Sequence, residues 1–146
     1  MELICKKFNE LSTLELYRIL YCRSEVFIME QAVNYQDLDF KDQKSTHVML
    51  TDNGEIVSYL RIIPQGVKYP ESSIGRVITM KRYRNKGYAR QLINMAIDVL
   101  KDSAQMPIRI EAQAYLKNFY ESFGFKAVSQ EYILEGLPHI DMIMTE

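Results

Sequence analysis

Apolar residues fall along this chain in short runs of period two or near four, and turn signals separate the runs. Residues 2–8 (Glu-Leu-Ile-Cys-Lys-Lys-Phe) read as a first strand. A helix start follows: Ser12 can cap, Glu15 completes a capping box, and Leu11 can staple onto Leu16. Leu16, Ile19, Leu20 and Phe27 carry helical spacing to about residue 27. The polar stretch 29–45, with Gln31, Asn34, Gln36, Asp37 and Asp39, predicts a loop over one end of the domain. Two β-rich runs, 46–51 and 55–64, flank Asp52-Asn53-Gly54. Asn-Gly predicts a hairpin, because a type I′ turn needs positive φ at both central positions.

A connector over 65–72 leads to a strand from Ser73 to Met80, in which Gly75 marks a bulge or a close backbone approach. Ala89, Leu92, Ile93, Ala96, Ile97 and Leu100 then give the best amphipathic helix of the chain. Pro107 opens a strand over 108–112. Residues 115–123 make a short helix stopped by Gly124, which can take the left-handed position after a last turn. Runs 125–134 and 139–145 read as closing strands around Gly136-Leu137-Pro138. The order β-α-β-β-β-α-β-α-β-β predicts an α/β (α+β) fold, a mixed sheet with helices against it. With 146 residues, one domain spanning 1–146 is expected.

Composition narrows the function classes. A chain 47% hydrophobic and 25% charged is neither a disordered tail, a fibrous repeat nor a disulfide scaffold. A net charge of -1 argues against a dedicated nucleic-acid binder. Two cysteines cannot form a metal cluster, no metal is expected, and Cys22 reads as a small buried hydrophobe. No apolar run approaches the ~20 residues of a membrane span, and the N-terminus lacks a signal-peptide layout. A cytoplasmic protein without membrane partners is the expectation.

The stretch that carries chemistry is Arg84-Asn85-Lys86-Gly87-Tyr88-Ala89, between a strand and the amphipathic helix. A helix start offers unpaired N–H groups and partial positive charge. Gly87 and Ala89 leave room for phosphates, and Lys81, Arg82, Arg84, Lys86 and Arg90 surround the turn. Those features describe a pyrophosphate site; a solvated basic loop is the plain alternative. The chain has neither G-x-x-x-x-G-K-[ST] nor G-x-G-x-x-G.

Arg84-x-x-Gly87-x-Ala89 resembles the acyl-CoA pyrophosphate motif of the GNAT superfamily of N-acetyltransferases. Phe119-Tyr120-Glu121-Ser122-Phe123-Gly124-Phe125 resembles the family's second signature, and the element order agrees. Within the superfamily, Arg23-Ser24-Glu25-Val26-Phe27, Glu30-Gln31, Ile74-Gly75-Arg76-Val77, Ala112-Gln113-Ala114 and Gly136-Leu137-Pro138-His139-Ile140 are similar to the blocks of an ElaA-type branch. Glyphosate-type acetyltransferases share the Pro138-to-Met142 ending. Gln113 departs from the wider family, where many members carry Asn seven residues before the helix tyrosine.

The resemblance implies a mostly antiparallel sheet whose fourth strand splays from the fifth, with acetyl-CoA in the gap as acetyl donor. It implies that Val77, Ile78 and Thr79 bond the pantetheine through their backbone, with the Ile78 N–H polarising the thioester. Arg84, Asn85, Lys86, Gly87, Tyr88, Ala89 and Arg90 would hold the pyrophosphate. Tyr120 is the candidate general acid, against the alternative of a core aromatic. His139 is the candidate base, against a structural histidine, while His47 reads as structural. Glu30 and Glu111 are secondary base candidates.

Arg23, Arg76 and Gln113 are candidates for the acceptor pocket and suit an anionic amine; the alternative pairs the two arginines with Glu25, Glu30 or Asp39. The expected reaction is direct attack by a small-molecule amine in a ternary complex. Its rivals are an acyl-CoA-binding module without turnover and, weakly, a nucleotide or RNA binder. Exposed strands would also support a homodimer.

Overall fold

A computed structural model describes residues 1–146 of the chain. The first strand, β1, covers Glu2–Lys7, and the first helix, α1, covers Thr13–Arg23. Ser12 and Glu15 form the reciprocal cap that their spacing predicts: Glu15 N–H donates to Ser12 Oγ at 3.0 Å, and Ser12 N–H to Glu15 Oε1 at 2.8 Å. The helix does not continue as α to Phe27. From Ser24 to Glu30 the winding widens into a π-helix, a form concentrated at functional sites.

Strands β2 (Thr46–Asp52) and β3 (Glu55–Ile63) make the expected hairpin, with Asn53 and Gly54 at φ 52° and 83°. Next come β4 (Ser73–Thr79), α2 (Tyr88–Asp102), β5 (Ile108–Gln113) and α3 (Lys117–Glu121). The sequence 125–134 is two short strands rather than one, β6 (Lys126–Ala127) and β7 (Tyr132–Leu134). The final turn lies at Glu135–Gly136, both at positive φ, so the last strand, β8 (Leu137–Met144), takes in Pro138.

Antiparallel pairing in the order β1-β2-β3-β4 builds one sheet; β5-β8-β6 builds a second, with β7 also paired to β8. Between β4 and β5 there is a single parallel bridge, Ser72 to Ile108, where Arg109 N–H donates to Ser72 O at 2.8 Å. Beyond that bridge the two strands diverge, which is the predicted splay.

Helices cover both faces. Leu92, Ile93, Ala96, Ile97 and Leu100 of α2 pack on Val48, Leu50 and Leu60, and on Ile110 and Met142 of the second sheet. On the other face, Ile19 and Cys22 of α1 and Val26 after it pack on Met49, Tyr59 and Ile78. Because β3 is buried on both faces, its one charged interior residue, Arg61, is also fully buried.

Candidate active site

The divergence of β4 and β5 opens a cleft of about 480 Å³. Its walls include Val77, Ile78 and Thr79 of β4, Gln113 of β5, Tyr120 of α3 and His139 of β8. The π-helical turn and the strap after it close one side with Phe27, Glu30, Val33 and Tyr35.

A bulge shapes the β4 wall. The β3–β4 register pairs Tyr59 with Ile78 and Arg61 with Gly75, so Arg76 and Val77 together face only Leu60. Arg76 sits at φ 52°, a left-handed conformation rare for a residue with a side chain. Alternation along the ladder decides which amides face the cleft. Met80 N–H donates to Val57 O, so Ile78, two residues back, belongs to a hydrogen-bonded pair with Tyr59. Ser58 Oγ also donates to Ile78 O, at 2.7 Å. The Ile78 backbone is therefore turned toward β3, contrary to the sequence expectation, and the Val77 amide on the bulge is the cleft-side donor.

The turn at the end of β4 keeps its amides free. Gly87 occupies the N-cap position of α2 at φ 82°, and no side chain caps the helix. A Cβ added at Gly87 meets no atom within 4 Å, so the helix start is open to a ligand. Asn85, Lys86 and Arg90 are exposed, whereas Tyr88 and Ala89 are half-buried. Their side chains do not all point at that opening. The Arg90 guanidinium lies over the Phe119 and Phe123 rings, and Tyr88 packs edge-on against Tyr83. Arg84 turns inward: its Nε–H donates to Thr79 O at 2.9 Å, and its guanidinium pairs with Glu30 at 2.8 Å. What this turn leaves unengaged is thus the row of backbone amides more than the basic side chains.

Tyr120 is 8% exposed, packed edge-on against Phe119 and Phe125, and its hydroxyl has no partner within the chain. Burial, with Tyr115 adding to it, pushes its phenol up to about 12. His139 stands opposite Gln113 in the β5–β8 register. Its Nδ1 lies 2.8 Å from Leu137 O, which can only accept, so a neutral ring carries its proton on Nδ1 and its free lone pair on Nε2. The Tyr132 ring lies alongside, nearly parallel.

Among the other candidates, Glu111 pairs with Lys68 at 2.7 Å and accepts from the Tyr69 hydroxyl. Burial alone would raise its carboxyl; these two partners outweigh it and leave the carboxyl below its ordinary value. Gln113 and Arg76 line the cleft, but Arg76 is already engaged by Asp37 at 2.7 Å. Arg23 is a correction. It is fully buried outside the cleft, bonded to Asp37 at 2.9 Å and Asp42 at 2.6 Å, and has no face to offer an acceptor. His47 is structural as expected, buried between the Tyr59 hydroxyl and Asp42 O. Sequence reading missed Arg61, although an arginine inside the apolar run 56–63 signals a buried charge that needs partners. Those partners are Asp39 and Asp42.

Comparison with known proteins agrees with this architecture. Residues 12–146 match the family model described as an acetyltransferase (GNAT) domain. A UPF0039 protein of Schizosaccharomyces pombe is 37% identical over 145 residues, covering 97% of this chain and 95% of that one. The crystal structure of an acyl-CoA N-acyltransferase from Pseudomonas aeruginosa superposes with a TM-score of 0.93 at 32% identity, covering 99% of this chain and 100% of that one. Escherichia coli ElaA superposes with a TM-score of 0.91 at 35% identity over 98% of each chain. A splayed sheet, an open helix start at the mouth of the splay and relatives matched over nearly their whole length lead to one assignment: the chain belongs to the GNAT family of acyl-CoA-dependent acyltransferases.

Proposed function

We propose that this chain is a cytoplasmic N-acetyltransferase that moves the acetyl group of acetyl-CoA onto the amine of a small acceptor, by direct attack in a ternary complex. The observation that carries the reading is the cleft between β4 and β5, with uncapped amides at one end and Tyr120 and His139 in its walls. The amides of 85–90 receive the pyrophosphate, and the edge of β4 receives the pantetheine.

His139 Nε2 takes the proton of the incoming ammonium, which frees the nitrogen lone pair for attack on the thioester carbonyl. As the N–C bond forms, the Val77 N–H holds the developing oxyanion. The C–S bond then breaks, and the Tyr120 hydroxyl donates its proton to the departing thiolate. A phenol held near 12 by burial is fully protonated at neutral pH and so carries the proton this step consumes. Neither Cys5, exposed on β1, nor Cys22, packed behind the sheet, lines the cleft, which favours direct transfer over an acyl-cysteine. Gln113 and Arg76 stand where an acceptor would lie, and an anionic group on the acceptor would compete with Asp37 for the Arg76 guanidinium.

The test is calorimetry of CoA with the wild type and with Gly87→Val. Valine at φ 82° is strained, and its side chain would occupy the space open to phosphate. Affinity is expected to fall at least about tenfold in a variant shown to be folded by circular dichroism, a change of ~1.4 kcal/mol. Unchanged affinity overturns the placement of the pyrophosphate. Mass-spectrometric screening of amine pools with acetyl-CoA then separates an enzyme from a module that binds acyl-CoA without turnover.

A further inference from the structure

Gly75 is the one glycine in the chain that no backbone demand explains. The other five, Gly54, Gly66, Gly87, Gly124 and Gly136, all have positive φ. Gly75 lies inside β4 at an ordinary φ, and a Cβ built on it meets no atom within 4 Å. Close packing therefore does not explain it either. Glycine weakens a strand interior, and where it persists it marks a close approach by another backbone or a ligand. No backbone fills this gap, and Gly75 lines the cleft.

The depth of the gap determines what it can hold. Counting from the Ser72–Ile108 bridge, Gly75 stands level with Glu111. After the extra residue of the bulge, Val77 and Ile78 stand level with Ala112 and Gln113. The Val77 amide and His139, opposite Gln113, are thus at the upper level. Gly75 lies one to two residues deeper toward the apex, roughly 3–7 Å at ~3.3 Å per residue. A thioester that enters from the Arg84–Arg90 end points its acyl tail toward that apex. An acetyl group ends one carbon past the carbonyl and leaves the gap unfilled. Ile63 lines the cleft on the face that Gly75 shares with Arg61; Ile74 and Ile110 also line it, with their side chains packed in the core under α2. The charges near them are paired within the chain, Lys68 with Glu111 and Arg61 with Asp39 and Asp42.

We infer that Gly75 sets the acyl-chain capacity of the cleft and that the chain accepts short acyl-CoA donors longer than acetyl, propionyl and butyryl among them. This rests on the acyltransferase reading above. The bond changes are the same: the amide C–N bond forms, the thioester C–S bond breaks, and CoA leaves as the thiol.

The experiment is calorimetry of free CoA, acetyl-CoA, propionyl-CoA and butyryl-CoA with the wild type, Gly75→Ala and Gly75→Val, which needs no knowledge of the acceptor. The wild type should bind butyryl-CoA at least as tightly as acetyl-CoA. Gly75→Val should weaken butyryl-CoA relative to acetyl-CoA by ~10–200-fold, the range for a methylene-scale change in an apolar pocket, with Gly75→Ala between. Gly75→Ala keeps the test open if the valine variant does not fold. A wild type that rejects butyryl-CoA by more than about tenfold overturns the inference, as does a Gly75→Val loss equal for all chain lengths. Wild type that binds no CoA at all overturns the acyltransferase reading and this inference with it.

Discussion

Tyr120 lines the cleft with its ring packed on Phe119 and Phe125, and its hydroxyl has no partner within the chain. Its partner in the proposed reaction is the thiolate. Tyr120→Phe keeps the ring and its packing and removes only the proton, so kcat should fall ~10²–10⁴-fold while CoA affinity holds. A wild-type rate, measured where chemistry limits turnover, would return Tyr120 to the core. His139 is judged by a pH profile. A protonated imidazole cannot accept the ammonium proton, so kcat/KM should fall on the acid side, and His139→Ala should abolish that limb and slow transfer at neutral pH. Acceptors of different basicity separate the two sources: a limb that follows the acceptor belongs to the amine, and one that stays fixed belongs to the enzyme. If His139→Ala keeps the fixed limb, a carboxylate acting through water is the base. Glu30 is then tested before Glu111, whose carboxyl its partners hold below the ordinary range.

At the scale of elements, features set by local chemistry were legible in the sequence. The Ser12–Glu15 cap, the Asn53-Gly54 hairpin and the α2 stripe each depend on residues within one or two turns of one another. Features decided by distant partners were not. Nothing local in Ser24-Glu25-Val26-Phe27 announces a π-helix; its far end is tied by Glu30 to Arg84, which lies after β4. The bulge was half-legible. Gly75 flagged irregularity, but the two residues that share one partner are Arg76 and Val77, and only the β3 register reveals that the Val77 amide replaces that of Ile78 as the cleft-side donor. Arg23 shows the same limit. Sequence left its two readings open because an arginine can face a ligand or a carboxylate, and the choice fell to Asp37 and Asp42, 14 and 19 residues away in the strap. The Arg84–Arg90 turn was the most legible part of the candidate site, because the chemistry proposed for it lies in consecutive amides at an open helix start.

Across the whole molecule, one charged network joins elements that otherwise share little. Arg23 from α1, Arg61 from β3 and Arg76 from β4 meet Asp37, Asp39 and Asp42 of the strap. The strap is polar and short of apolar anchors, so these pairs seat it, and with it Val33 and Tyr35 against the cleft. Burial alone would raise the Asp39 and Asp42 carboxyls. Hydrogen bonds and charge from the arginines outweigh that, and both are held below the ordinary carboxylate range. The sign of the pH dependence follows. Below that range the unfolded chain binds more protons than the folded one, so stability falls with pH. The contribution is fully present above about pH 4, the ordinary Asp value, and is lost as pH falls below it through the depressed folded-state values. Asp42→Asn removes one carboxylate shared by two buried guanidinium groups, at 2.6 Å from Arg23 and 2.8 Å from Arg61. At neutral pH it should destabilise by ~3–5 kcal/mol, the usual loss when a buried pair is broken from one side. Urea unfolding at pH 7, 5, 4 and 3 should show the wild type converging toward the variant as acid removes what the variant already lacks. Asp98→Asn, on the exposed face of α2, is the control and should track the wild type. Parallel curves for wild type and Asp42→Asn would show that the network's carboxylates do not govern acid stability.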